Sequence, residues 1–161
     1  MDLNTYEAAV LQLADALRAR GWRIATAESC TGGLIAAACT AVAGSSDWFE
    51  RGFVTYSNEA KQQLLGVPQA LLDTHGAVSE EVARAMAQGA LARAPVDMAV
   101  SVTGIAGPGG AVPGKPVGTV WMGLATAQGV QTQLLQLDGG RAAVRGGTVA
   151  AALQALNAAA A

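Results

Sequence analysis

The stretch Ala25-Thr26-Ala27-Glu28-Ser29-Cys30-Thr31-Gly32-Gly33 narrows the choice of folds more than any other part of the chain. An apolar run, Trp22 to Ala27, reads as a short buried strand, and Leu34 to Val42 reads as an Ala-rich helix. Between them lie only small polar residues and a glycine pair. A strand that turns so sharply into a helix exposes the side chain at the turn. It also directs unpaired backbone N–H groups toward that side chain. Ser29 and Thr31 thus sit where a nucleophile and an oxyanion or phosphate cradle belong. Ordinary helix capping by Ser and Thr accounts for the same residues, so both readings stand at this point.

The remaining pattern alternates helices and strands. Asn4 and Glu7 have capping-box spacing, and Tyr6, Val10, Leu13 and Leu17 form a helical stripe that Gly21 ends. Phe49 to Tyr56 reads as a strand, and Ser57-Asn58-Glu59 opens a short helix carrying Lys61, Leu64 and Leu65. His75 to Val78 is a connection, and Ser79 caps the next helix. Met98 to Thr103 is an apolar strand, and Gly104 to Gly118 is too rich in Gly and Pro for regular structure. Thr119–Thr126 and Val130–Leu137 form a hairpin, and Arg141 to Ala160 is the last helix, with Val144, Val149, Leu153 and Leu156 inward. The expected fold is α/β, a single three-layer α/β/α domain around a mixed sheet that spans residues 1–161.

Hydrophobic residues make up 52% of the 161 residues but aromatics only 4%. The core must therefore be built from Ala, Val and Leu, each burying little area, and burial by self-association as a homodimer is expected. Net charge is −2 with no basic run, so nothing suggests a nucleic-acid surface and no nucleic-acid partner is expected. No apolar run approaches membrane-spanning length and no basic start precedes an apolar segment, so no membrane is expected and the expected compartment is the cytoplasm. Two cysteines, Cys30 and Cys39, and one histidine give no expectation of a disulfide, a zinc site or a metal cofactor.

A serine nucleophile needs a base. The one histidine, His75, reads as a surface turn residue, which leaves the two lysines, Lys61 and Lys115. Lys61 falls one helical turn beyond Ser57. Only about one lysine in 2,500 is neutral at pH 7, and bringing its pKa to about 7 takes roughly 4–5 kcal/mol, within reach of burial. Lys61 is either a desolvated base or a solvated helix residue. Thr103-Gly104 and the glycines after them follow an apolar strand, where α/β sheets place ligands, although a plain connecting loop is equally open. The loop lacks the Gly-Lys-Ser/Thr ending of a triphosphate-binding loop. Arg141 and Arg145 share one face at the start of the last helix, placed either for an anion such as phosphate or for solubility. Without a histidine to activate it, Cys30 reads as a buried small residue.

Five motifs occur in order: Thr26–Gly33, Gly52–Lys61 (Gly-Phe-Val-Thr-Tyr-Ser-Asn-Glu-Ala-Lys), Gly76–Ala83, Thr103–Pro108 and Lys115–Thr119. Together they resemble the CinA C-terminal domain family, which includes stand-alone nicotinamide-nucleotide amidohydrolases. The resemblance covers nearly the whole chain. It implies hydrolysis of the carboxamide of nicotinamide mononucleotide to nicotinate mononucleotide and ammonia, without a cofactor. It further implies Ser29 as nucleophile, Lys61 as base and Tyr56 in support. Cys30, Thr31, Gly32 and Gly33 supply backbone N–H groups; Thr103, Gly104, Arg141 and Arg145 line the substrate site, Arg145 near phosphate. Two departures touch substrate-facing loops. Gly139-Gly140-Arg141 stands where the family has Gly-Asp-Arg, and Gly-Pro-Gly-Gly stands where Gly-Pro-Asp-Gly-Gly is common. Two other readings remain: an amidase or phosphatase for another small nucleotide, and a non-catalytic nucleotide-binding module, which the missing carboxylate at Gly140 favours.

Overall fold

The structure is a computed structural model that describes residues 1–161. Six helices and five strands follow one another as α1 (Glu7–Arg20), β1 (Ile24–Glu28), α2 (Leu34–Thr40), β2 (Phe49–Val54), α3 (Asn58–Leu65), α4 (Gln69–His75), α5 (Glu80–Arg93), β3 (Met98–Gly104), β4 (Thr119–Thr126), β5 (Gly129–Gln136) and α6 (Arg141–Ala160). The sheet order is β2-β1-β3-β4-β5. β1 runs parallel to both β2 and β3, and β4 and β5 are antiparallel additions. The expected three-layer α/β/α arrangement around a mixed sheet is thus found.

Alternation along the strands divides the core in two. Ile24, Met98, Val100, Val102, Val120 and Met122 face one side, where they pack with α1, α2 and α6. Ala25, Ala27 and Ala99 face the other, beneath Leu65 of α3, Leu72 of α4 and Val82, Met86 and Ala90 of α5. Small residues on this second face let the helices come close. A Cβ at Gly123 would lie 2.7 Å from the carbonyl oxygen of Ala83, so only glycine lets α5 rest on β4 at this distance. The four inward residues expected on α6 (Val144, Val149, Leu153 and Leu156) are all fully buried.

Three local expectations are corrected. Asn4 does not cap the first helix. Asp2 accepts from the Asn4 N–H at 3.0 Å and starts a 3-10 turn over Leu3–Tyr6 that leads into α1. The helix after β1 ends at Thr40, short of Val42. The strand that begins at Phe49 ends at Val54, short of Tyr56, and the sequence reading offered no element for the helix α4, whose seven residues are too few to show a period. No helix is long and apolar enough to cross a membrane.

The topology prepares one crevice. The connection after β1 leads through α2 to β2 on one side. The chain then crosses back over β1 to place β3 on its other side. Loops leaving the carboxyl ends of β1 and β3 therefore diverge, and such switch points are where open α/β sheets bind ligands.

Candidate active site

A cleft of about 280 Å³ opens at that switch point. Ser29 lies at its floor, one residue past β1, with its N–H bonded to the Val102 carbonyl of β3 at 3.1 Å. Across from it is Lys61. The Thr55 N–H continues the β1–β2 pairing by bonding to Glu28 O at 2.8 Å, after which Ser57 caps α3 through Ala60 N at 3.0 Å. Lys61, one turn into α3, is thereby aimed back over the end of the sheet.

The Lys61 side chain is 1% exposed. Its Nζ is 3.0 Å from Ser29 Oγ, 3.0 Å from the Thr55 carbonyl oxygen and 3.3 Å from the Tyr56 carbonyl oxygen. No carboxylate pairs with it. Burial pulls the Lys61 pKa below the ordinary lysine value, and the neighbouring Cys30 thiol opposes this only in part. Nζ donates to all three oxygens; once neutral, it keeps two N–H groups for the carbonyls and turns its lone pair to the serine hydroxyl.

The turn after Ser29 is held from beneath by Glu28, which the sequence reading passed over. Its carboxylate is fully buried. Oε1 accepts from Thr31 Oγ1 at 2.6 Å and Ile35 N at 2.8 Å; Oε2 accepts from Ala36 N at 3.0 Å and Thr26 Oγ1 at 3.4 Å. The free N–H groups of α2 are thus capped by Glu28 and do not face the cleft. Gly32 and Gly33, with φ of +58° and +100°, turn the chain into α2, a backbone shape that glycine adopts without strain. The Gly32 N–H is bonded to Ser29 O at 3.0 Å. The N–H groups of Cys30, Thr31 and Gly33 have no backbone acceptor in the chain, but of these residues only Cys30 lines the cleft, and Thr31 is fully buried. A carboxylate closing an apolar strand, flanked by Thr26 and Thr31, was the signal that Glu28 had a capping task.

Cys30 lies at the cleft wall, but burial pushes its thiol up to about 11, so it is no nucleophile at neutral pH. Thr103 and Gly104 form the opposite wall, and Thr103 Oγ1 donates to Ala77 O at 2.8 Å. Asn58, Ala77 and Val78 also line the cleft, although the sequence had not singled them out for the site. Tyr56 and Arg141 meet at the mouth. Arg141 Nη2 donates to the Tyr56 hydroxyl at 3.2 Å, and Nη1 to Gly107 O at 2.8 Å. Arg145 stands behind the turn instead of in the cleft, donating to the Cys30 and Thr31 carbonyls. His75 ends α4, half-buried, and no group of three His, Cys, Asp or Glu is placed to hold a metal ion. A larger hollow of about 580 Å³ lies between the β4–β5 hairpin and the end of α6, but no titratable side chain lines it.

Residues 6–160 match the family model described as the CinA C-terminal domain. The nicotinamide-nucleotide amidohydrolase PncC of Escherichia coli (strain K12) is 57% identical over 146 residues, which cover 90% of this chain and 88% of that protein. The protein of the same name from Enterobacter agglomerans is 57% identical over 136 residues, covering 84% and 83%. Among solved structures, the competence/damage inducible protein CihA of Agrobacterium tumefaciens superposes with a TM-score of 0.92 at 47% identity, covering 94% of this chain and 93% of that one. By sequence along nearly its whole length, and by the course of its backbone, this chain belongs to the CinA C-terminal domain family.

Proposed function

We propose that the chain hydrolyses the carboxamide of nicotinamide mononucleotide to nicotinate mononucleotide and ammonia by acyl transfer through Ser29. The observation that carries the reading is a buried amine, free of any carboxylate, 3.0 Å from a serine hydroxyl in a ligand-sized cleft. The names of the relatives from Escherichia coli and Enterobacter agglomerans support the choice of substrate.

In this scheme neutral Lys61 takes the Ser29 proton as Oγ attacks the amide carbon. The oxyanion is received by the N–H group of Cys30, the residue after the nucleophile in the cleft wall. Protonated Lys61 then gives its proton to the departing nitrogen, the C–N bond breaks and ammonia leaves. Water repeats the sequence: Lys61 takes its proton, hydroxide adds to the acyl carbon, and the Ser29 oxygen recovers a proton as the acid departs. A neutral amine also suits a pyridinium ring, which is itself cationic. Arg141, at the mouth, is the cation placed for the phosphate. Tyr56 holds that guanidinium and offers its carbonyl to Lys61. Thr103 and Gly104 form the wall against which the ring lies.

The working form proposed is a cytoplasmic homodimer, in keeping with the Ala-rich surface of α6. The decisive assay is ammonia release from nicotinamide mononucleotide. Wild type should turn over, whereas Ser29→Ala and Lys61→Arg should not, the guanidinium being unable to give up its proton at working pH. Tight binding of the nucleotide by wild type without turnover would replace the hydrolase with a binding module.

A further inference from the structure

Two of the five sequence motifs, Gly76–Ala83 and Lys115–Thr119, take no part in the chemistry above, yet one hydrogen bond ties them together. Lys115 Nζ donates to the His75 carbonyl, at the end of α4, at 2.6 Å, and lies 3.3 Å from where a Cβ on Gly76 would be. Lys115 is half-buried, pairs with no carboxylate and does not line the cleft. Its backbone is bonded to Val112 in both directions, at 3.1 and 2.9 Å, so the ammonium extends from a closed turn over residues 112–115.

From this latch the contacts run on to the cleft mouth. Two residues along, the Val117 side chain fills the space beside Gly107, where a Cβ would lie 2.6 Å from Val117 Cγ1. Gly107, with φ of +82°, lines the cleft, and its carbonyl accepts from Arg141 Nη1 at 2.8 Å. The rest of the motif is stiffened from within. The Thr119 hydroxyl and N–H both return to Pro116 O, at 2.7 and 3.1 Å, and the Gly118 N–H is bonded to Ile105 O at 2.8 Å. On the inner side, Thr103 Oγ1 donates to Ala77 O at 2.8 Å. Lys115 and Thr103 are thus two ties between the 75–78 connection and β3 with its following loop. The segment that Lys115 anchors carries the seat of Arg141.

We propose that Lys115 is a positioning residue for the phosphate end of the site: latched onto the end of α4, it holds Val117 against Gly107 and so sets where the Arg141 guanidinium stands. An unpaired ammonium suits the task, because the last carbonyls of a helix lack intrahelical donors and carry partial negative charge. The inference rests on the amidohydrolase reading above, with Arg141 as the cation for the phosphate.

The test compares wild type, Lys115→Met and Lys115→Arg, each with Arg141 kept and with Arg141→Met, on nicotinamide mononucleotide and on its dephosphorylated nucleoside. A charge-assisted bond is worth about 10–100-fold in binding, so misplacing Arg141 should raise KM for the nucleotide about tenfold in Lys115→Met. KM for the nucleoside and kcat should each stay within about threefold, because the loss falls on ground and transition states alike. Lys115→Arg, still able to reach the His75 carbonyl, should recover most of the nucleotide KM. In the Arg141→Met background, Lys115→Met should add less than about twofold, since its effect passes through Arg141. A full tenfold loss in that background would mean that Lys115 meets the phosphate itself, and would overturn the proposal. So would an unchanged KM in Lys115→Met, an equal loss on nucleotide and nucleoside, or a well-folded Lys115→Arg with no recovery. A readout independent of turnover is the Arg141 Nε–H resonance during titration with inorganic phosphate. It should respond in wild type, and Lys115→Met should need about tenfold more phosphate for the same response. A titration that is the same in both proteins refutes the proposal whatever the substrate; absence of wild-type turnover, with the titration shifted as expected, refutes only the substrate.

Discussion

Replacing Glu28 with glutamine should destabilise the protein by an amount that can be reasoned atom by atom. The carboxylate receives four donors, two on each oxygen. A glutamine keeps one acceptor oxygen and turns the other into a donor. Facing Ile35, the new NH₂ meets a backbone N–H and the Thr31 hydroxyl. Facing Ala36, it meets a backbone N–H and the Thr26 hydroxyl. Either hydroxyl can rotate to accept, but neither backbone N–H can. One orphaned donor at about 1–3 kcal/mol, together with weaker bonds where the acceptor charge is gone, gives a loss of about 2–4 kcal/mol. For a domain of this size that lowers Tm by roughly 5–15 °C. Glu28→Ala orphans both N–H groups and should lose about 4–6 kcal/mol. Equilibrium urea unfolding of the three proteins measures the series, and amide exchange at Ile35 and Ala36 locates it. A Glu28→Gln loss under about 0.5 kcal/mol, or exchange at those amides no faster than in wild type, would show that Glu28 does not hold α2.

Further expectations concern other parts of the same site. Gly140 is the extended N-cap residue of α6 with no side-chain cap, and a Cβ there meets nothing within 4 Å. Gly140→Asp should therefore cap the helix and favour its dipole, raising stability by about 0.5–1 kcal/mol in thermal or urea unfolding; a loss of stability would contradict the open space. Cys30 should alkylate at pH 7 about 100-fold more slowly than an ordinary thiol, since burial raises its pKa from 9.0 to about 11. Rapid inactivation by iodoacetamide, protected by nucleotide, would show a thiolate instead. Gly123→Ala should cost about 1–3 kcal/mol, because its Cβ would crowd the Ala83 carbonyl and Ser101 Oγ, both under 3 Å away; an unchanged urea midpoint would mean that α5 moves off the sheet freely.

The architecture could be read from the chain because its strands announce themselves. Met98–Thr103 is an unbroken apolar run, and Thr119–Gln136 holds two β-prone runs around Gln128-Gly129. The turn at Ser29 was equally visible. The state of Lys61 was not. Within Asn58-Glu59-Ala60-Lys61-Gln62-Gln63 it resembles any solvated helix lysine, and only closure of the sheet end buries it. Glu28 stayed hidden because its partners lie seven and eight residues onward, and their geometry exists only once Gly32 and Gly33 have turned the chain. Arg141 and Arg145 looked alike at four residues apart. Helical rotation and the packing of α6 send one to the cleft mouth and the other behind the nucleophile turn.

Chemistry at Ser29 depends on an uncharged amine, so the measurement that bears on it most directly is an NMR titration of Lys61 Nζ alongside the pH dependence of kcat/KM. Because the folded pKa is lowered, the neutral fraction, and with it activity, should rise with pH through a midpoint below the usual lysine range. The resonance and the rate should share that midpoint. A Lys61 that stays protonated across the whole range in which ammonia is released would contradict the mechanism.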